Sequence, residues 1–138
     1  MFRLPTEFEW EWAAAGKESD GRLREYPWPV NRGEQSDKLA NYNENVGATT
    51  PVGRYPDGAT PEGLMDMAGN VWEWTSTLIM DYPYNADDGR EDQSATGERV
   101  WRGGSWTNGY WWMRVTLRYR SVDWYWNWNL GFRCASSA

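Results

Sequence analysis

The sequence predicts a loop-rich α+β domain with one helix and several short strands. Three observations carry the α+β reading: one helix with complete start and stop signals, several short strand-like segments, and long intervening stretches rich in Gly, Pro, Asn, Asp and Ser. The 138 residues suit a single domain over 1–138, long enough to bury about two-thirds of the surface its unfolded form exposes.

The helix starts at Thr6-Glu7-Phe8-Glu9, which has capping-box spacing with Pro5 just outside, and Gly16 is placed to stop it. Phe8, Trp12 and Ala15 share one face and Glu7 and Glu11 another, so Trp12 is expected to pack inward and the acids to face water. From Lys17 to Pro61 the punctuation residues predict long ordered loops. Asp66 to Trp74 turns from a Gly-Asn corner into an alternating strand over Val71, Trp72, Glu73 and Trp74. An acidic, Gly-containing loop follows over residues 80–98, and strands are predicted over 99–102, 114–118 and 130–134.

Between Trp106 and Trp128 stand Tyr110, Trp111, Trp112, Tyr119, Trp124, Tyr125 and Trp126, interleaved with Gly, Asn, Asp, Ser and Arg. Each indole carries about 150–250 Å² and an N–H that requires a partner when buried, so a domain of this size cannot hide them all. Several rings are therefore expected to face solvent or a ligand. Trp106 and Trp112 are the ones expected in the core, and the alternation of Trp124, Trp126 and Trp128 also fits one face of a strand.

The net charge of −6 disfavours general affinity for nucleic acid or anionic lipid. No apolar stretch approaches the roughly 20 residues of a membrane span, and Met-Phe-Arg-Leu-Pro is no signal peptide, so display on a cell or virion surface would require a partner. A single cysteine, Cys134, excludes an internal disulfide framework, and the absence of histidine removes the commonest general base and zinc ligand. Asp66, Glu73, Asp87, Asp88, Glu91 and Asp92 supply acids, but nothing in their spacing pairs two across a cleft for hydrolysis.

Four motifs in order, Arg3-Leu4-Pro5-Thr6-Glu7-Phe8-Glu9-Trp10-Glu11-Trp12-Ala13-Ala14, Gly63-Leu64-Met65-Asp66-Met67-Ala68-Gly69-Asn70-Val71-Trp72-Glu73-Trp74, Arg102-Gly103-Gly104-Ser105-Trp106 and Gly131-Phe132-Arg133-Cys134, resemble the formylglycine-generating-enzyme-like (sulfatase-modifying-factor) family. The resemblance covers essentially the whole chain and implies a variant of the C-type lectin fold, a loop-rich α+β domain with small antiparallel sheets and one or two helices. Family members usually carry a further helix and strand before the first motif; the chain is expected to be a minimal or truncated version, with a sheet edge covered by another segment or a second copy.

The resemblance also bears on chemistry. Formylglycine-generating enzymes bind copper through two cysteines whose positions are held here by Asn108 and Met113, and a hercynine-type sulfoxide synthase requires a histidine-bearing iron domain. The chain is accordingly expected not to be an enzyme and to have no catalytic cofactor. The family's structural calcium positions fall on Asp66, Gly69, Val71 and Glu73, and a looser second set on Asn41, Tyr42, Glu44 and Val46, so structural calcium is an expected ligand. Hydrogen bonding of Glu73 to backbone or to an arginine is the alternative to the first site.

Where ordinary family members have Asn, Asp, Pro and Arg around the last two motifs, this chain has aromatic residues. In this it resembles the variable proteins of diversity-generating retroelements, with residues 101–134 as the variable region. Gly103, Gly104, Ser105, Arg114, Arg118, Leu130, Gly131, Phe132 and Arg133 would hold the frame. Thr107, Asn108, Tyr110, Trp111, Trp112, Tyr119, Ser121, Asp123, Trp124, Tyr125, Trp126, Asn127 and Trp128 would contact an external macromolecular ligand, protein first and glycan second. Substitution at adenines cannot turn an asparagine codon into a tryptophan codon, so the Trp positions require a different template codon or a fixed origin. An aromatic face of this extent is also expected to self-associate.

Overall fold

The computed structural model describes residues 1–29 and 37–136. Of the loop expected over 17–61, residues 30–36 lie outside the described residues. A four-stranded sheet in the order β4-β3-β2-β5 is built from β2 (Trp72–Leu78), β3 (Glu98–Arg102), β4 (Tyr119–Val122) and β5 (Leu130–Phe132). Strand β3 runs antiparallel to β2 and β4, while β5 joins β2 in parallel. A separate two-stranded ribbon ties β1 (Phe2–Arg3) to β6 (Ala135–Ser136) and brings the two ends of the described chain together.

Among the described residues there is one α-helix, α1 (Glu7–Ala15), with Thr6 as N-cap in a complete capping box and the Gly16 N–H closing on the Trp12 carbonyl. Its inward face differs from the expected one. Trp10, Ala14 and Ala15 are buried, as is Glu7, whereas Trp12 is 49% exposed and Phe8 also faces outward. The cause is a charge network that apolar periodicity does not see. Arg102, fully buried on β3, donates to Glu7 Oε1 and Glu11 Oε2, both at 2.5 Å, and Arg118 donates to Glu7 Oε2 at 2.8 Å. A buried carboxylate is tolerated because it is paired. Trp10 is drawn inward with it, donating its indole N–H to Glu73 Oε2 at 2.6 Å and lying against Gly103, where a Cβ would sit 3.2 Å from the ring.

Residues 114–118 are not a strand. Val115 is buried beside Trp10, Ala14 and Met67, and its N–H donates to the Glu25 carbonyl at 2.9 Å. Arg102 takes the carbonyls of Val115 and Leu117, so these groups serve a guanidinium in place of a ladder and pairing begins only at Tyr119. The last predicted strand, 130–134, ends at Phe132, and Arg133 and Cys134 lie between β5 and β6. Loop residues supply a second core, in which Tyr26, Trp28, Leu39, Ala40 and Tyr42 pack on Ala68 and Met113.

The sheet therefore has two unlike faces. Cross-strand pairing of Glu73 with Arg102 puts charge toward α1, and pairing of Trp74 with Trp101 and of Trp101 with Tyr119 puts aromatic rings on the other side.

Candidate functional site: an aromatic cleft

Two loops frame the aromatic side of the sheet. The first leaves β3 through Gly103 and Gly104, both at positive φ, and continues through a single 3-10 turn over Tyr110–Met113. Glycine is required at 104, because a Cβ there would lie 2.2 Å from Met113 Cε and 2.7 Å from the Trp112 carbonyl oxygen. Ser105 anchors the loop: its N–H and hydroxyl both donate to Asn108 Oδ1, at 2.9 and 2.7 Å. The second loop, residues 123–129, returns from β4 to β5 without strand pairing.

Between them lies a cleft of 330 Å³ lined by Trp72, Trp101, Asn108, Trp112, Tyr119, Tyr125, Asn127 and Asn129. The rings touch one another. Trp72 meets Trp112 edge-on at 82° and 6.0 Å, Trp101 lies 5.7 Å from Tyr119, and Tyr125 stacks on Trp101 at 5.5 Å. Among the described residues, no carboxylate, ammonium or guanidinium lines it.

Of the predicted contact residues, the structure brings Asn108, Trp112, Tyr119, Tyr125 and Asn127 together in this cleft. Trp124, Trp126 and Trp128 are exposed to 77%, 85% and 62%, in a loop instead of along one strand face, and Trp111 and Asp123 are exposed as well. Trp128 rests on partly buried Trp106, and Arg114 stacks its guanidinium 4.6 Å from the Trp111 ring centroid. Tyr110 departs from its expected place: it stacks on Tyr26 at 4.5 Å and belongs to the loop core. Trp112 is also placed differently, against the Trp72 edge at the cleft and exposed. Thr107 accepts from Asn129 Nδ2 at 3.3 Å, and Ser121 pairs with Arg99 within the sheet. Sequence reasoning missed Trp72, Trp101 and Asn129 as cleft residues; the signal available for the two indoles was their place on strands whose partner side is polar.

The first calcium set is also brought together, since Asp66, Gly69, Val71 and Glu73 line one cleft of 500 Å³. The arrangement does not fit a divalent cation, because Arg133 already stands there. Its Nε donates to Glu73 Oε2 at 2.6 Å and its Nη2 to Oε1 at 2.7 Å, while Nη2 also reaches the Met65 and Asp66 carbonyls. Burial lowers the Arg133 pKa, but hydrogen bonding to Glu73 and the charges of Glu73 and Asp66 more than offset it, so the net shift is upward. Glu73 thus follows the arginine alternative. At the second set, Asn41 Oδ1 is buried with no hydrogen-bond partner, an oxygen that a hard cation would satisfy. Glu44 and Val46 are exposed there, and the Tyr42 carbonyl accepts from Asn45 at 3.1 Å. Among the described residues, no three or more His, Cys, Asp or Glu side chains form a metal-holding group, and no helix is long and apolar enough to cross a membrane.

Comparison with known proteins places these features in context. The chain is 42% identical over 108 residues to hercynine oxygenase of Mycobacterium tuberculosis, a match covering 75% of this chain and 25% of that protein. It is 42% identical over 97 residues to the formylglycine-generating enzyme of the same organism, covering 62% of this chain and 30% of the relative. Among solved structures, Treponema denticola variable protein 1 superposes with a TM-score of 0.71 at 32% identity, covering 96% of this chain and 46% of that one. The chain spans about a quarter of the length of the hercynine oxygenases it matches.

These relatives overturn the expectation that the chain is not an enzyme. That expectation rested on the absence of copper cysteines and histidine, yet proteins about 40% identical over three-quarters of the chain are oxygenases by name. The α+β fold and the likeness to a retroelement variable protein stand. The family model for the sulfatase-modifying factor enzyme 1-like domain matches residues 1–138, and the chain belongs to that family.

Proposed function

We propose that this domain binds an external macromolecular ligand, a protein, through the aromatic face formed by residues 106–112 and 119–128. One observation carries the reading: the tryptophans at 111, 124, 126 and 128 are exposed around a cleft that has buried Trp72 and Trp101 in its wall. Tyr and Trp supply large, rigid contact area at low entropic cost, which is how paratopes and hot spots work. The likeness to a variable protein supports treating residues 101–134 as a diversified region. The position of Cys134, exposed after the frame arginine Arg133, matches the end of that region.

Sequencing the flanking DNA tests the diversification. A reverse transcriptase and a near-copy of the codons for Trp101 to Cys134, with mismatches at adenines, is the expected finding; absence of both refutes it. A protein ligand selected on the wild-type domain should lose at least tenfold in affinity on Trp126→Ala, with folding unchanged. Unaltered affinity refutes the face assignment. The loop at Asn41 is proposed as a structural calcium site: calcium should raise the melting temperature of wild type and not of Asn41→Ala, and no rise in wild type refutes it.

A second reading is favoured by the identity to hercynine oxygenase: the domain forms part of an oxygenase, with the aromatic cleft beside the reaction centre. Oxygen consumption by the protein in the presence of hercynine separates the two readings.

A further inference from the structure

Two amides at the aromatic cleft each keep one polar atom that the fold leaves unanswered. Asn108 is fixed through its Oδ1, which accepts twice from Ser105, and its Nδ2 meets no acceptor among the described residues. Asn129 is fixed the other way round. Its Nδ2 donates to Ser105 Oγ and Thr107 Oγ1, both at 3.3 Å, and its Oδ1 meets no donor among the described residues. Fully buried Ser105 thus ties both amides to the exit of β3. Trp101, on the same wall, is 5% exposed, and its indole N–H is buried without a partner.

Beside the ring hydroxyls, the two amides offer one free donor and one free acceptor, and among the described residues no charged side chain lines the wall. A charged ligand would lose its hydration without a counter-charge, and a purely apolar side chain would seal both amide atoms without partners. The rings form a corner, with Trp112 at 82° to Trp72 and 75° to Tyr119. The 330 Å³ volume is near the lower end of the roughly 300–1,000 Å³ range of ligand pockets, which suits one saturated ring with a short substituent.

We propose that this cleft is a subsite for a neutral acetamido sugar, an N-acetylated hexosamine residue carried by the protein ligand. The C–H face of the pyranose stacks on an indole, the acetamido carbonyl accepts from Asn108 Nδ2, and the acetamido N–H donates to Asn129 Oδ1. Recognition requires no metal. The inference rests on the reading of the aromatic face as a binding surface and names what one part of that face takes.

The test titrates the whole ¹⁵N-labelled chain with N-acetylglucosamine, with glucose and with N-acetylphenylalanine amide, following the Asn108 side-chain amide and Trp101 indole resonances. N-acetylglucosamine should shift both, with an affinity at least tenfold above that of glucose, which lacks the acetamido group. Tyr125→Ala, at the cleft mouth, should weaken that binding tenfold, and Asn108→Ala should do the same. Because Asn108 also accepts from Ser105, Tyr125→Ala decides the matter if Asn108→Ala fails to fold. Equal shifts with glucose overturn the acetamido assignment. Shifts with the capped amino acid alone overturn the sugar and leave the protein-binding face standing. No shift with any probe overturns the subsite, while the Trp126→Ala measurement on a protein ligand judges the broader reading separately.

Discussion

Replacing Glu73 with alanine tests the ion pair that ties β2 to the segment following β5. The carboxylate is 8% exposed and its partner guanidinium on Arg133 27% exposed, so the pair is largely shielded from water. Glu73→Ala removes both bonds to Arg133 and strips the acceptor from the Trp10 indole N–H. Breaking a buried pair by removing one partner costs about 3–5 kcal/mol. Arg133 keeps its bonds to the Met65 and Asp66 carbonyls, which places the expected loss near the middle of that range, about 4 kcal/mol. At about 4 °C per kcal/mol for a domain of this size, the melting temperature should fall by about 15 °C. Urea unfolding followed by tryptophan fluorescence and circular dichroism measures it. Replacing both partners, Glu73→Leu with Arg133→Met, should recover most of the loss, because the uncompensated charge is gone. A loss under about 0.5 kcal/mol for Glu73→Ala, the scale of an ordinary surface change, would refute the pair as a structural tie. A calcium-dependent rise in wild-type melting temperature that vanishes in Glu73→Ala would show that the carboxylate serves a metal.

Gly104→Ala should cost about 2–4 kcal/mol, since the new Cβ meets Met113 and the Trp112 carbonyl at a positive φ; chemical denaturation checks it, and a loss below about 1 kcal/mol would show that the turn yields. Hydrogen bonding to Arg3 pulls the Glu9 carboxyl from 4.5 down to about 2, so its stabilisation is full above pH 4.5 and lost as pH falls toward 2. The effect is small because Glu9 is 42% exposed, and urea midpoints of wild type and Glu9→Gln should converge across that window; a constant difference from pH 5 to 2 would refute it. Sedimentation velocity should show concentration-dependent self-association of wild type that is lost on replacing Trp124, Trp126 and Trp128 with alanine, whereas a monodisperse wild type at high concentration refutes a sticky face.

Local signals were legible wherever a few neighbouring residues decide the conformation. Thr6, Glu9 and Gly16 mark both ends of α1 by capping chemistry alone, and Glu98–Arg102 reads as a strand from its own composition. The inward face of the helix was not legible, because Glu7 is neutralised by Arg102, 95 residues away. Periodicity scores Glu7 as outward and Trp12 as inward, and the buried ion pair reverses both. The same guanidinium takes the carbonyls of Val115 and Leu117, which is why residues 114–118 have strand composition without a strand. At the site, the aromatic excess was readable, but its division was not. Tyr110 and Trp111 are adjacent, yet one stacks in the loop core and the other faces water, a distinction set by the turn that Gly104 permits.

The two faces of the sheet explain how one frame can carry so unusual a surface. Toward α1, the sheet is held by Glu7, Glu73, Arg102 and Arg133, groups that are costly to bury and therefore specific in whom they accept. That side fixes register through polar partners, since a slipped strand would leave a charge unpaired. Toward the loops, Ser105 is tightly bonded below the rings, and its hydroxyl holds Asn108 and Asn129. Among the described residues, Trp124, Trp126 and Trp128 donate no side-chain hydrogen bond, and they bury little of their area, so exchange of those side chains costs little stability. A fold whose register is set on one face by ion pairs can tolerate wide change on the other, the physical condition for a variable binding surface. If that division is right, substitutions at 124, 126 and 128 should alter what the domain binds while leaving its unfolding free energy within about 0.5 kcal/mol, and those at 7, 73, 102 and 133 should do the reverse.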